Sequence, residues 1–439
     1  HIGVYAYGRY LLADTGKASY DGSHPWYQWQ TNRKISHNTV EIDGKGPKSG
    51  KTTVSMEQND GLDFYDCTST ENANVPHTRK VTFIKDRKFF IVSDFLESAS
   101  GTHTYTQNWH HLASANPSVM NASKNIVKTN YATGANLEIV PVDSGAYTLT
   151  MEKGVGMNDS ASSKSCIETT FASYKQEKTG NTKFNTILFP SPNPITKEIL
   201  TEPLTVTSGA AMKANSTSAF TMVLPDNTNA VYYVNHDPKA ACSFGEYQAN
   251  AAMAYLEENY FTAAKADLIS KNGEVLFRST KALSDITVQN GSKLEIETSA
   301  ALNLSSDGLC IRSDATTVTL NGAAVAFKRF DSYILIGNYT AYELTNKSID
   351  TAGAEYRLGF TLTTGLETTD VTAYAAVKDA DGRVLRVYTA DKAVSKDAPA
   401  VFSMQIPKTA EDNCIDLYIW ERGTLIPLVE TTGNRFSCK

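Results

Sequence analysis

Asp14 and His37 have the types and placement to do chemistry together. Apolar Tyr10, Leu11 and Leu12 precede Asp14, while Thr39, Val40 and Ile42 follow His37 and run into the turn Asp43-Gly44. Each residue therefore stands where a strand passes into a turn. A carboxylate and an imidazole carried by neighbouring strands make either two ligands of a metal site or an acid–base pair. The plainer alternative is an aspartate that caps a turn and a histidine that hydrogen-bonds its own loop. Between them runs Tyr20-Asp21-Gly22-Ser23-His24-Pro25-Trp26-Tyr27-Gln28-Trp29, a dense set of rings on which sugars stack. Tyr20 and Trp29 are candidate substrate contacts there, unless the loop buries its own rings. Arg33 has the fork geometry to hold a carboxylate bidentately, with Lys34 as its competitor. Trp109, His110 and His111 close a later alternating run and are candidates to line a cleft, the alternative for Trp109 being the core.

The elements that must position these groups are strands. Period-2 alternation with glycine-containing turns dominates the chain. Asn272-Gly273, Asn290-Gly291 and Asn321-Gly322 each separate two alternating runs, a hairpin series built on residues that tolerate positive φ. Val81–Ile84 and Phe89–Val92 flank Lys85–Lys88 as a further hairpin. Tyr247–Tyr255 is the best short helix candidate, though it equally extends a strand. The fold class is all-β: a large multi-stranded β-sandwich over residues 1–338, then a small immunoglobulin-like β-sandwich over 339–439. The latter rests on five alternating runs, Tyr356–Leu362, Val371–Val377, Val384–Tyr388, Val401–Ile406 and Ile415–Trp420. Trp420 is either a core residue of that module or an aromatic platform for carbohydrate.

With 41 Lys and Arg against 47 Asp and Glu, the net charge of −6 argues against a general nucleic-acid binder. A locally basic groove for an anionic glycan is compatible with it. No run of 18 apolar residues exists, so no segment reads as a membrane-spanning helix. Six cysteines are scattered without a CxxC pattern, which argues against a zinc ribbon; Cys414 with Cys438 is the best candidate disulfide. The stretch Gly44–Thr52 imitates a phosphate loop, but Lys45 occupies the position that needs glycine, and it reads as a basic hairpin tip. No GxSxG elbow occurs, which leaves a serine hydrolase unsupported.

Gly8-Arg9-Tyr10-Leu11-Leu12-Ala13-Asp14-Thr15-Gly16 and Ser36-His37-Asn38-Thr39-Val40, followed by His77-Thr78-Arg79-Lys80-Val81-Thr82-Phe83 and Gln107-Asn108-Trp109-His110, resemble recurring pieces of the heparinase II/III family of polysaccharide lyases. That family's pattern runs His-x-His-x-Asp, an apolar strand, Gly-Arg-x-Leu-Leu-x-Asp-x-Gly, tyrosine-rich sequence and His-Asn-Thr-Val. The resemblance implies a supersandwich-like β-domain at the C-terminal end of a larger enzyme, with an α/α toroid and a catalytic histidine upstream. It implies β-elimination on an acidic, uronic-acid-containing polysaccharide such as a heparan-type glycan or alginate, in a secreted, cell-surface or periplasmic bacterial protein. Asp14 and His37 match zinc ligands, with the third ligand upstream of His1, which falls after the His-x-His element. Two ligands hold zinc poorly, so weak or absent zinc and an inactive fragment are expected. Tyr27 matches the tyrosine that approaches substrate, with Tyr20 as the alternative, while Trp29, Arg33, Trp109 and His110 remain candidate substrate contacts. Two rival readings are a glycan-binding or scaffold sandwich without chemistry and a sandwich enzyme such as a sugar mutarotase.

Overall fold

The computed structural model describes residues 1–15, 20–32, 34–46, 50–72, 74–157, 166–237, 241–330, 332–339, 342–364, 369–395, 398–422, 428–429 and 434–438. The chain is built almost wholly of strands. Those that frame the N-terminal region are β1 (Val4–Ala6), β2 (Arg9–Leu12), β3 (Val40–Ile42), β4 (Thr52–Gln58), β5 (Leu62–Ser69), β6 (His77–Ile84), β7 (Phe89–Leu96) and β8 (Thr102–Trp109), with one α-helix, α1 (Pro25–Asn32). No described helix is long and apolar enough to cross a membrane.

The chain divides into two compact units, 1–267 with 282–301 and 315–324, and 268–281 with 302–314 and 325–439. In the first, β4-β5-β6-β7 continue through Thr182–Ser191, Asn136–Pro141, Ile126–Lys128 and Ser118–Asn121 as one eight-stranded sheet. A four-stranded sheet orders Thr148–Met157, Cys166–Thr179, β8 and β3, and β1 pairs β2 as a hairpin across Tyr7-Gly8. The sequence of β7, FFIVSDFL, is a continuous rather than alternating apolar run because both of its faces are covered. Phe89, Ile91 and Phe95 pack in one core with Phe220, Tyr232 and Tyr255. Val92 and Leu96 pack in another with Tyr105, Trp109, Tyr174, Leu11 and Leu12.

In the second unit, Tyr342–Ala352, Glu355–Thr364 and Ala400–Pro407 form a three-stranded sheet. Val384–Val394, Thr369–Lys378, Cys414–Glu421 and Arg435–Ser437 form a four-stranded one. All five alternating runs read from the sequence are strands here. Their inward residues, among them Leu358, Phe360, Val371, Ala373, Phe402, Ile415 and Leu417, share one core with Val275, Cys310, Tyr333 and Leu335.

Asn272-Gly273 and Asn321-Gly322 turn with both residues at positive φ, 51° and 86° and then 50° and 75°. Asn290-Gly291 does not use that geometry: the register pairs Asn290 with Leu294 and leaves a longer loop. Three expectations need correction or placement. Tyr247–Tyr255 falls on two strands, Tyr247–Asn250 and Met253–Leu256, not on a helix. The helix lies instead in the aromatic segment, where Pro25 takes the first helical position and His24 Nδ1 accepts from Trp26 N at 3.2 Å. Cys414 and Cys438 are free thiols. The register opposes Cys414 to Ser437, so alternation turns Cys438 to the other face of the sheet. Pro47–Ser49 of the basic hairpin tip lie outside the described residues.

Burial has one consequence that solution work can read. Glu138 lies inside the eight-stranded sheet, Oε1 accepting from Ile199 N at 3.1 Å while Oε2 lacks a partner among the described residues. Burial, with Glu198 nearby, raises its pKa from 4.5 to about 7. Because the folded-state value is raised, this group's contribution to stability is complete below pH 4.5 and is lost as pH rises through about 7. Denaturant midpoints measured from pH 4.5 to 8 should show wild type losing up to about 3 kcal/mol relative to Glu138→Gln over that interval.

Candidate metal centre and cleft

The hairpin β1–β2 delivers Asp14 just past its second strand. A 3-10 turn over Lys34–Ser36, running into β3, delivers His37. The two side chains converge, His37 Nδ1 lying 2.8 Å from Asp14 Oδ2. His1 joins them, with Nδ1 at 3.5 Å from the same oxygen and its ring edge-on to His37 at 5.8 Å between centroids. The ligand atoms of His1, Asp14 and His37 all lie within 4.8 Å of one another. Alignment to the motif sets His1 after His-x-His and so outside the ligand set; the geometry nonetheless brings its ring into the cluster. Its imidazole reaches the cluster because Asn38 N donates to His1 Nδ1 at 3.2 Å.

Asn38 is fully buried and joins four segments. Its Nδ2 donates to Ile2 O at 2.8 Å and to Ala13 O at 3.3 Å, and its Oδ1 accepts from His110 N at 2.6 Å. Its carbonyl accepts from Arg79 Nη1 at 2.6 Å. Arg79 in turn grips the buried Asp94 bidentately, Nε to Oδ1 at 2.7 Å and Nη2 to Oδ2 at 2.8 Å. His77 Nε2 at 2.7 Å and Gln107 Nε2 at 2.8 Å complete the shell of Asp94. Burial opposes ionisation of Asp94, but the Arg79 and His77 contacts outweigh it and hold the carboxyl well below the usual range.

The cluster opens on a cleft of about 730 Å³ whose walls include Lys34, Tyr65, Glu71, His77, Arg79 and Phe90. Lys34 forms an ion pair with Glu71, and Arg79 is committed to Asp94 and Asn38, so these two cations are already engaged. Chemically, the site offers an imidazole–carboxylate–imidazole donor set facing the cleft, which suits zinc with a position left open.

The other sequence candidates are placed elsewhere. Trp109 is fully buried, its Nε1 donating to Gln107 Oε1 at 3.2 Å. His110 is buried too, its Nε2 bound to Ile35 O at 2.7 Å and its ring stacked on Phe171 at 4.2 Å. Burial pushes His110 down to about 3, so it is neutral and structural at pH 7. Neither presents itself to a ligand, which corrects the expectation that they line a cleft. Trp29 is half-buried and packs edge-on against His110 at 6.0 Å and Trp26 at 5.8 Å. Gly154 makes the space for it, since a Cβ there would stand 2.9 Å from the indole. Tyr20 is exposed, and Tyr27, half-buried on α1, is not part of the cleft lining. Arg33 lies outside the described residues. Sequence reasoning missed His1, Tyr65, His77 and the Asn38–Arg79–Asp94 network. The available signal was the polar run His-Thr-Arg-Lys in a strand that the fold buries.

Residues 2–193 match the family model described as Heparinase II/III-like, C-terminal. A heparin-sulfate lyase from Pedobacter heparinus is 27% identical over 151 residues, which is 34% of this chain and 22% of that protein. The crystal structure of heparan sulfate lyase HepC from Pedobacter heparinus aligns with a TM-score of 0.43 and 21% identity, covering 54% of this chain and 36% of that one. A crystal structure of heparinase III gives 0.42 and 17%, covering 53% and 35%. The chain thus spans 22% of its curated relative and 36% or less of these solved chains.

Removing the carboxylate charge under the cleft should be costly. Asp94→Asn leaves Arg79 buried beside a neutral partner, and chemical denaturation should register a loss of about 3–5 kcal/mol.

Proposed function

We propose, from the match of residues 2–193 to the Heparinase II/III-like C-terminal family model, that the chain is the C-terminal part of a polysaccharide lyase that cleaves an acidic, uronic-acid-containing polysaccharide by β-elimination. The observation that carries this reading is the His1–Asp14–His37 cluster, which lines a cleft together with Tyr65, His77 and Arg79; Asp14 and His37 fall within the matched residues. In such a reaction a base removes the proton at C5 of the uronic acid, the C4–C5 double bond forms, and the 4-linked sugar leaves with a proton from an acid. The C5 proton is poorly acidic, because the neighbouring carboxylate resists a second negative charge. Positive charge or hydrogen-bond donors aimed at that carboxylate lower the barrier.

The three donors fit a divalent metal, zinc by preference, for which His1, Asp14 and His37 would be the protein ligands. Bound there, the ion supplies the positive charge that Lys34 and Arg79, already paired, do not offer. The chain's own contribution is to hold those donors in place through Asn38. Two proton-bearing groups, Tyr65 and His77, stand in the cleft wall, and Asp94 orients the latter. Tyr27 and Tyr20 retain a substrate-side role if the glycan extends from the cleft over α1. The remaining catalytic groups belong to an N-terminal toroid domain, and a polymeric substrate places the enzyme at the cell surface, in the periplasm or outside the cell.

Two measurements test the reading. The expectation of weak or absent zinc counted two ligands; with His1 as a third donor, calorimetric titration of the metal-stripped chain with zinc should show stoichiometric uptake, weakened more than about tenfold by Asp14→Ala or His37→Ala. The whole encoded protein should generate ultraviolet absorbance of the C4–C5 double bond from at least one of heparan sulfate, hyaluronan, chondroitin and alginate. His37→Ala should cut that rate by about 100-fold or more. Absorbance rising with none of the four would remove the lyase reading.

A further inference from the structure

The outer face of the four-stranded sheet in the second unit is not polar, as a solvated sheet face would be. In Cys414–Glu421 the core takes Ile415, Leu417 and Ile419, so Asp416, Tyr418 and Trp420 point the other way. In Thr369–Lys378 the core takes Val371, Ala373, Ala375 and Val377, which turns Thr372, Tyr374, Ala376 and Lys378 outward. The register sets Trp420 opposite Thr372 and Tyr418 opposite Tyr374. Tyr374 and Trp420 meet diagonally at 4.9 Å between centroids, and Val387, 52% exposed, extends the apolar strip onto the edge strand. The three aromatic residues are half-buried.

Charged groups flank the strip on both sides, and those among the described residues are matched. Asp416 accepts from Arg435 Nε at 2.6 Å and Nη2 at 2.9 Å, and from Lys378 Nζ at 2.9 Å. Arg422 reaches Asp391 at 2.9 Å and Asp370 at 4.0 Å, while Thr372 Oγ1 donates to Asp391 at 2.6 Å. Three cations thus face three carboxylates. A polyanion needs uncompensated cations, and among the described residues this face offers none. A stable protein interface buries about 800 Å² on each partner, far more than these few apolar side chains present. What does match is an uncharged ring with hydroxyls around its edge: the rings take its apolar face, while neighbouring carboxylates and guanidinium groups accept from and donate to the hydroxyls.

We propose that this face binds a neutral polysaccharide, with pyranose rings stacked on Trp420 and Tyr374. It is a second glycan site in the chain, of different charge character from the cleft of the first unit.

Affinity electrophoresis of the 439-residue chain through gels containing mixed-linkage β-glucan, xyloglucan, xylan or galactomannan, with heparan sulfate and alginate as acidic counterparts, tests it. At least one neutral polymer should retard the chain and change its tryptophan fluorescence. Trp420→Ala and Tyr374→Ala should each weaken retardation about tenfold or more, and Trp420→Phe should retain most of it. Circular dichroism establishes that each variant is folded; if Trp420→Ala is not, Tyr374→Ala and Trp420→Phe carry the comparison. Retardation that survives loss of both rings overturns the proposal. So does the absence of retardation by every neutral polymer, or retardation by the acidic polymers alone.

Discussion

The carboxamide of Asn38 is the contact on which the N-terminal region depends. It is buried, and its donors and acceptor are met by the chain entering β1, the chain leaving β2 and the chain leaving β8. Asp14 immediately follows Ala13, whose carbonyl Asn38 binds, and His37 immediately precedes Asn38. One buried amide therefore sets the separation of the carboxylate and the imidazole, without either depending on a hydrogen bond in water. Its backbone is used as fully as its side chain, with the amide turned to His1 and the carbonyl to Arg79.

Below that clamp, charge is handled in two opposite ways. Asp94 is ionised at the centre of the first unit because Arg79, His77 and Gln107 replace the water it lost. His110 and His111 are instead kept neutral, the latter pushed down to about 4 with no partner on either ring nitrogen among the described residues. The result is a cleft floor whose charges are internally balanced. The second unit repeats this economy on its outer sheet face, where Lys378, Arg422 and Arg435 each have a carboxylate.

The alternation of apolar residues was enough to locate the strands of the last hundred residues and most hairpins, because side-chain period is a local property. Local rules failed where a distant group intervened. Asn290-Gly291 has the composition of a tight turn but closes a longer loop. Tyr247–Tyr255 carries spacing compatible with a helix, yet pairing on both edges makes it strand. The aromatic segment was legible as unusual, but not its use: Trp29 is spent on packing beside Gly154, 125 residues away in sequence. Trp109 and His110, strand-end residues that read as cleft candidates, are inside because Trp109 packs in the core with Val92 and Leu96 of β7 and His110 stacks on Phe171.

By itself the sequence determined that strands would dominate, that Asp14 and His37 would each sit at a strand boundary, and which motifs surround them, since periodicity, turn residues and motif order are written along the chain. Only the tertiary structure decided that His1 stands within reach of that pair, that Arg79 and Asp94 support it, and that Trp420 faces outward beside Tyr374. These relations depend on register between segments remote in sequence. Register is set by which face each strand buries against its neighbours, a condition no single segment carries.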